Sequence, residues 1–178
     1  MINGDGNFGI GDKVVYPNHG VGVIEQISSR TLGETVQKVY LLHIKSSGLK
    51  VMVPFSNAGA VGLRAVVPPA EVQKILTFLV DGACDAGGDW KNRFKENSDR
   101  MRTGELSDVA VVLKNLVMLH HTKPLSFRER KMFDRARYLL VSEMALANNS
   151  EEAEIEQMLA DAFAKSSLQM PEFPEVAA

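Results

Sequence analysis

The first third of the chain alternates short apolar runs with turn signals. The runs are four to nine residues long and are predicted to be strands: Lys13–Tyr16, Gly20–Ser28, Val36–Ile44, Leu49–Pro54 and a fifth at Leu63–Val67. Clusters of Pro, Asn, Gly and Ser separate them. Strands this short, joined by tight turns, favour a small, curved antiparallel barrel over a parallel βαβ unit. The positions expected to face its core are Val14, Val23, Ile27, Val39, Leu41, Val51 and Val53.

After a Pro-Pro pair, the apolar residues recur with the period of an amphipathic helix. Five helices are predicted, at Ala70–Val80, Trp90–Arg102, Ser107–Leu119, Ser126–Ala147 and Ser150–Ala164. Asp89 is placed to cap the second helix, and Ser107 or Asp108 to cap the third. Ser126 and Glu129 have the spacing of a capping box on the fourth.

This change of pattern divides the chain into two domains of an α+β fold. Residues 1–67 form the predicted antiparallel β barrel, and residues 68–166 form an all-α domain of about five helices. Beyond them, two prolines and little apolar periodicity predict a disordered tail over residues 167–178.

The single tryptophan, Trp90, stands at the start of the predicted second helix. Three cations follow it within a turn and a half: Lys91, Arg93 and Lys95. Cations this early oppose the helix dipole, which suggests that something other than helix stability placed them there. A flat apolar ring among cations is suited to gripping phosphates and pressing against an opened base step. The alternative is that Trp90 packs in the core beside Phe94 and Met101.

The predicted fourth helix carries a second set of cations. Arg128, Lys131 and Arg135 fall at i, i+3 and i+7, which places them in one stripe opposite the apolar face. The stripe is a candidate phosphate-contacting surface; an ordinary solvated helix face is the alternative.

The run Leu49–Pro54 is a candidate protein-binding edge. Because it ends in proline, it is typical of an edge strand, whose free N–H and C=O groups can accept a partner's strand. Arg30, in the predicted turn after the second strand, is placed to add a salt bridge beside it.

Charge is distributed unevenly, although the net charge is only −2. Residues 90–147 carry 12 Lys/Arg against 7 Asp/Glu, whereas residues 148–178 carry 1 against 7. A tight, free-standing DNA-binding domain would be far more basic. The pattern favours weak phosphate contact that depends on a second anchor.

Motifs for catalysis are not supported by the sequence. His120 and His121 are adjacent, so on a helix their rings point about 100° apart and do not chelate one metal as an i, i+4 pair does. The Gly-Val-Gly at residues 20–22 lacks the strand–turn–helix context of a phosphate loop. We therefore expect a protein that is not an enzyme and that uses no catalytic residue, cofactor or metal.

The sequence also predicts where the protein works. No apolar run approaches the roughly 20 residues that span a bilayer, and the N-terminus does not resemble a signal peptide. The single cysteine, Cys84, excludes an internal disulfide and favours a reducing compartment. We expect a cytoplasmic monomer without membrane partners.

Four segments in register resemble the CarD/CdnL family of bacterial transcription regulators. They are GDKVVYPNHGVGVIEQI (Gly11–Ile27), VMVP (Val51–Pro54), DWKNRFKENSDRM (Asp89–Met101) and ERKMFDRARYLLVSEMALA (Glu129–Ala147). The likeness runs in order from about Gly11 to Phe163. It implies a Tudor-like barrel, shared with transcription–repair coupling factors, that binds the β subunit of RNA polymerase. It also implies a helical domain that touches promoter DNA.

The resemblance assigns roles to particular residues. Trp90 matches a family tryptophan that wedges into the minor groove at the upstream edge of the transcription bubble and so stabilises the open complex. Arg93 and Lys95 match family DNA contacts, with Lys91 nearby, and Arg30 matches a polymerase-contacting arginine. At the position of Met52, some family members carry an arginine that pairs with the β subunit, and the methionine does not offer that ion pair. The resemblance still implies that the strand can pair with the β subunit through its backbone, over Lys50, Val51, Met52, Val53 and Pro54.

The sequence therefore predicts a nucleoid-associated regulator that binds RNA polymerase and promoter DNA with little sequence preference. The alternative is a protein–protein adapter that binds polymerase or another factor without contacting DNA.

Overall fold

The part of the chain that the structure describes contains five antiparallel strands, five α-helices and a short 3-10 helix at Phe55–Asn57. The structure is a computed structural model that describes residues 8–84 and 88–173. Strands β1 (Lys13–Tyr16), β2 (Gly20–Leu32), β3 (Thr35–Ile44), β4 (Lys50–Pro54) and β5 (Arg64–Ala65) form one sheet in the order β4-β3-β2-β1-β5. Every pairing is antiparallel. The predicted α+β class and the small antiparallel β domain are confirmed.

The β2–β3 hairpin is longer than the sequence pattern indicated. β2 continues four residues past Ser28, because its polar second half still pairs with β3 down to the Leu32–Thr35 rung. Gly33 and Glu34 alone make the turn, and Gly33 supplies the positive φ of 64° that it requires. Both faces of this half of β2 are exposed to solvent, so apolar and polar residues do not alternate along it. The sequence pattern therefore does not show where the strand ends.

The barrel core uses partly different positions from those predicted. Val14, Val39 and Val53 are buried as expected, but Val23 and Leu41 are only half-buried. Their neighbours take the inward places instead: Ile24, Tyr40 and Leu42. In β2 the register shifts at a bulge between Ile24 and Gln26, and in β3 the run Val39–Leu42 is apolar throughout. Because side chains alternate between faces, an error of one residue exchanges core and surface.

The helices run α1 (Pro69–Asp81), α2 (Trp90–Thr103), α3 (Leu106–Thr122), α4 (Phe127–Asn148) and α5 (Glu152–Lys165). All five predicted helices are present, and the capping box of α4 is confirmed. Asp89 is the N-cap residue of α2, but its side chain makes no capping hydrogen bond. The expected caps of α3 are wrong, because Glu105 holds that position and Ser107 and Asp108 lie inside the first turn.

The core of the helical domain gathers around α3. The apolar residues predicted to face inward on α3 and α4 are buried: Val109, Val112, Leu113, Leu116, Val117, Phe133, Ala136, Leu140 and Met144. α3 packs mainly on α4 and α2, and α5 closes the other side against α1. These two packings leave one face of α2 and of α4 toward solvent.

The segment after α5 is packed against the helices, which corrects the predicted disorder as far as Phe173. Leu168, Met170 and Phe173 contact the helical core. The Phe173 ring lies edge-on to Phe133, with ring centroids 5.7 Å apart, and Arg130 places its guanidinium carbon 4.7 Å from the Phe173 ring centroid. An extended segment that inserts single apolar side chains has no helical period, so the sequence pattern did not reveal it. Residues 174–178 of the predicted tail lie outside the described residues.

The barrel and the helical domain meet where the β1–β2 turn rests on α2 and α4. Gly104, the left-handed C-cap of α2, approaches Pro17 so closely that a Cβ there would lie 2.8 Å from the Pro17 Cγ. Gly20 likewise approaches Leu139, with 3.2 Å between its hypothetical Cβ and the Leu139 Cδ2. Two glycines with positive φ thus permit a close contact between the domains.

Candidate nucleic-acid interface and sheet edge

Trp90 is the first residue of α2, and 49% of it is exposed. It lies on the same helical face as the buried Asn97 and Met101. Because Trp90 is at the N-terminal end of the helix, its part of this face is exposed to solvent. The indole is therefore not enclosed in the helical core, contrary to the alternative of core packing. It remains available to a partner.

The cations near Trp90 divide into two kinds. Lys91 and Lys95 are exposed, whereas Arg93 is 8% exposed. The Arg93 Nη1 donates to the Gly88 carbonyl at 2.9 Å, and its Nη2 lies 3.9 Å from the Glu129 Oε1. The structure therefore places the guanidinium of Arg93, an expected DNA contact, inside the protein and not on its surface.

The spacing of α2 contained a signal for this burial. Arg93, Asn97 and Met101 recur at intervals of four, and all three are buried. Two of the three are polar, so hydrophobicity alone did not identify this face as the inward one. The side-chain amides of Asn115 and Asn97 join across the contact with α3, with 3.2 Å between Asn115 Nδ2 and Asn97 Oδ1.

A groove of about 380 Å³ lies between α2 and α4. Its lining residues are Asn18, Phe94, Ser98, Met101, Arg102, Arg128, Lys131, Met132 and Arg135. All three cations of the predicted stripe on α4 line it. None of the groove's lining residues carries a carboxylate, so an apolar floor is combined with four cationic side chains. One of them, Arg102, places its Nη1 3.6 Å from the Asp99 Oδ1. This is the arrangement that an anionic ligand with flat apolar parts would need.

The sequence did not indicate that α2 contributes to this groove. Phe94 and Ser98 stand one and two turns along α2 from Trp90, so the indole lies along the same helix as the groove wall. Arg102 adds a cation that the predicted stripe did not include. On α4, the Lys131 ammonium lies 4.6 Å from the ring centroid of the exposed Phe127.

Among the described strands, β4 lies at one end of the sheet and pairs only with β3, which confirms it as an edge strand of that sheet. Met52 is 59% exposed, whereas Val53 is buried in the barrel core. The side chain of Val53 faces the core, so the predicted pairing of this strand with a partner would involve its backbone at this position. Lys50 is exposed and pairs with the Glu25 carboxylate at 2.9 Å.

The Glu25 carboxylate on β2 links that strand to β3 and β4. It lies 2.9 Å from the Lys50 Nζ and 3.0 Å from the His43 Nδ1. The hydrogen bond from Lys50 is the main reason that the pKa of Glu25 is lowered, and His43 lowers it further. The carboxylate thus holds the start of β4 against its neighbours.

Arg30 lies within β2 and not in a turn after it, which corrects its predicted position. It is exposed and pairs with Gln37 of β3. The Gln37 Oε1 in turn accepts a hydrogen bond from Ser56, in the 3-10 helix that follows β4. The Arg30 rung and the end of β4 are therefore near neighbours.

Two kinds of site find no support in the structure. Over residues 8–84 and 88–173, no cluster of three or more His, Cys, Asp or Glu is placed to hold a metal ion. In the same ranges no helix combines the length and apolarity that crossing a bilayer requires.

Comparison with known proteins gives a family for each half of the chain. The family described as "CarD-like/TRCF RID domain" matches residues 8–67, and the family described as "CarD, C-terminal domain" matches residues 74–160. A curated relative from Bacillus subtilis (strain 168), "Putative transcription factor YdeB", is 34% identical over 148 residues. This alignment covers 83% of the present chain and 97% of the relative.

Proposed function

The chain belongs to the CarD family of transcription regulators, and from this premise we propose that it stabilises the open promoter complex. Its barrel binds the β subunit of RNA polymerase. Its helical domain contacts promoter DNA at the upstream edge of the bubble, where Trp90 acts as a wedge.

The polymerase-binding half of the proposal is supported by the edge of the sheet. β4 has one side free of strand partners in the described sheet, and a β strand of another protein can extend such an edge through backbone hydrogen bonds. Two exposed apolar side chains lie on or next to it, Leu49 and Met52, and two more, Leu32 and Val36, lie at the end of the β2–β3 hairpin. Exposed apolar groups of this kind mark protein-binding surfaces.

The DNA-binding half is supported by the surface of α2 and α4. An exposed indole, two exposed lysines and a cation-rimmed groove lie along one helix pair. An apolar wedge at a base step costs stacking energy in closed DNA, but it stabilises a step that is already distorted. The surface is therefore suited to promoter DNA that polymerase has begun to open.

The two halves depend on each other. With 12 Lys/Arg against 7 Asp/Glu in residues 90–147, the helical domain is too weakly basic to hold duplex DNA tightly by itself. Attachment to polymerase supplies a high effective concentration of the wedge at the promoter. Sequence preference is not needed, because the polymerase selects the site.

The exposure of Trp90 is the observation that carries the proposal, and its replacement is the test. Trp90→Ala should shorten the open-complex lifetime on a slowly opening promoter to the value without the protein, while the affinity for polymerase stays unchanged. Trp90→Phe, which keeps a smaller ring, should give an intermediate lifetime. Lys74→Ala, an exposed change on α1, is the matched control and should behave as wild type. A wild-type lifetime with Trp90→Ala would favour the adapter alternative.

A further inference from the structure

The turn before Trp90 is held from inside the protein and not by a cap. The Asp89 side chain makes no capping hydrogen bond at the start of α2. Arg93 makes two other bonds there: its backbone N–H donates to the Asp89 carbonyl at 3.0 Å, and its Nη1 donates to the Gly88 carbonyl at 2.9 Å. The bond to the Asp89 carbonyl is the first i to i−4 bond of the helix, so the specific contribution of the Arg93 side chain is the bond to Gly88.

Arg93 is itself held by α4. Its Nη2 lies 3.9 Å from the Glu129 Oε1, and the other oxygen of that carboxylate, Oε2, accepts from the Ser126 N–H at 2.9 Å. The Glu129 side chain is thus fixed by the capping box of its own helix before it meets Arg93. The contacts form a continuous chain from the start of α4 to the start of α2.

Joining two helices through a buried cation carries a large desolvation cost. Arg93 and Glu129 are 8% and 6% exposed, and removing such charges from water costs more than their attraction returns unless further hydrogen bonds are made. An apolar pair of similar volume would join the helices at least as stably. What an apolar pair cannot provide is the directed bond to the Gly88 carbonyl, because only a donor fixes that carbonyl in place.

We propose that Arg93 is a positioning residue that sets the direction of the Trp90 indole. Arg93 touches no DNA. It holds the Gly88–Asp89 turn, through Glu129, so that the indole points outward in one orientation. This role rests on the proposed function of Trp90 as a wedge. A wedge that is fixed before binding loses less conformational entropy when it enters the DNA.

The single tryptophan makes this role measurable in the free protein, because all indole fluorescence comes from Trp90. Arg93→Lys keeps the charge but cannot reach Gly88 and Glu129 together in fork geometry. It should accelerate the local decay of Trp90 fluorescence anisotropy. It should also shorten the open-complex lifetime about tenfold, as expected for the loss of one charge-assisted hydrogen bond. Polymerase affinity and the helical circular dichroism should remain as in wild type.

Arg100→Lys is the matched control, because Arg100 lies on the same helix and is exposed in its pair with Asp108. It should leave the anisotropy decay unchanged. Glu129→Gln is the second variant: its amide oxygen can still accept from Ser126, but it no longer carries the charge that holds Arg93. It should give the same faster decay as Arg93→Lys, and it replaces that variant if Arg93→Lys does not fold.

The anisotropy decides the positioning role by itself. A wild-type decay in folded Arg93→Lys, or a lowered melting temperature with a wild-type decay, would make Arg93 a purely structural residue and overturn the inference. If the decay accelerates but Trp90→Ala leaves the open-complex lifetime unchanged, the wedge function fails while the positioning of the indole stands.

Discussion

Arg64 on β5 and Glu143 on α4 form a two-pronged ion pair between the barrel and the helical domain. The Nη1–Oε1 distance is 2.6 Å and the Nη2–Oε2 distance is 2.9 Å. Arg64 also donates from Nε and Nη2 to the Gly104 carbonyl at the end of α2, and Glu143 accepts from the Val67 N–H. Hydrogen bonds of this ion pair therefore connect the middle of α4 with three other segments. These are β5 of the barrel, the C-terminal end of α2 and the residues that lead into α1. A partner bound to the barrel is thereby held in a defined relation to Trp90.

The first prediction concerns the stability of this connection. Glu143→Ala should lower the free energy of unfolding by about 3–5 kcal/mol, because it leaves the Arg64 charge without its carboxylate and the Val67 N–H without its acceptor at a largely buried site. Urea unfolding followed by circular dichroism measures the change. Glu71→Ala breaks an exposed pair with Lys74 and is the control, with an expected change within about 0.5 kcal/mol. Equal stability of the two variants would show that the domain contact does not depend on Glu143.

The second prediction concerns polymerase binding. Arg30→Glu should weaken binding to the isolated β-subunit lobe by roughly tenfold, about 1.4 kcal/mol, because it reverses an exposed charge on β2, near the segment that follows β4. Titration calorimetry measures the affinity. Lys74→Glu makes the same charge change on α1, in the other domain, and should leave the affinity unchanged. If both variants bind the lobe as tightly as wild type, Arg30 is not part of the interface.

The third prediction follows from the lowered pKa of Glu25. Its folded-state pKa lies below the ordinary value of 4.5, chiefly because of the Lys50 hydrogen bond. The stabilisation that the Glu25 carboxylate gains from Lys50 is therefore fully present above the pKa of Glu25 in the unfolded chain. It is lost as the pH falls through the folded-state pKa. An NMR titration of the carboxyl carbon should give a midpoint below 4.5 in wild type and a higher midpoint in Lys50→Met. An unchanged midpoint in Lys50→Met would show that Lys50 does not set the ionisation of Glu25.

Local features of the fold were predictable, and contacts between distant segments were not. The capping box of Ser126 and Glu129 involves residues three apart, so the sequence alone located the start of α4. The bond between Arg64 and Glu143 joins residues 79 apart, and no local pattern reports it. The sequence pattern predicts a disordered tail at Phe173 for the same reason, because the aromatic partners of Phe173 lie on α3 and α4.

The candidate site shows the same division between local and distant information. The exposure of Lys91 and Lys95 agrees with their local pattern, and Arg128, Lys131 and Arg135 do form one stripe. The burial of Arg93 depends on Glu129, which approaches from another helix. A cation next to a tryptophan has the same local sequence signal whether it points toward a phosphate or toward a buried carboxylate.

The last prediction concerns the groove between α2 and α4. If Lys131 contacts a phosphate, its replacement by Gln should lower the salt dependence of binding to forked promoter DNA in the polymerase complex. The slope of log K against log salt should fall by about 0.7–0.9, the release of one counterion. Arg137→Gln is the control, because Arg137 pairs with Glu156 at 2.7 Å and does not line the groove. It should leave the slope unchanged, since its charge is already balanced within the protein. Equal slopes for wild type and Lys131→Gln would place the DNA elsewhere on the helical domain, and the exposed lysines beside Trp90 would then be the positions to test.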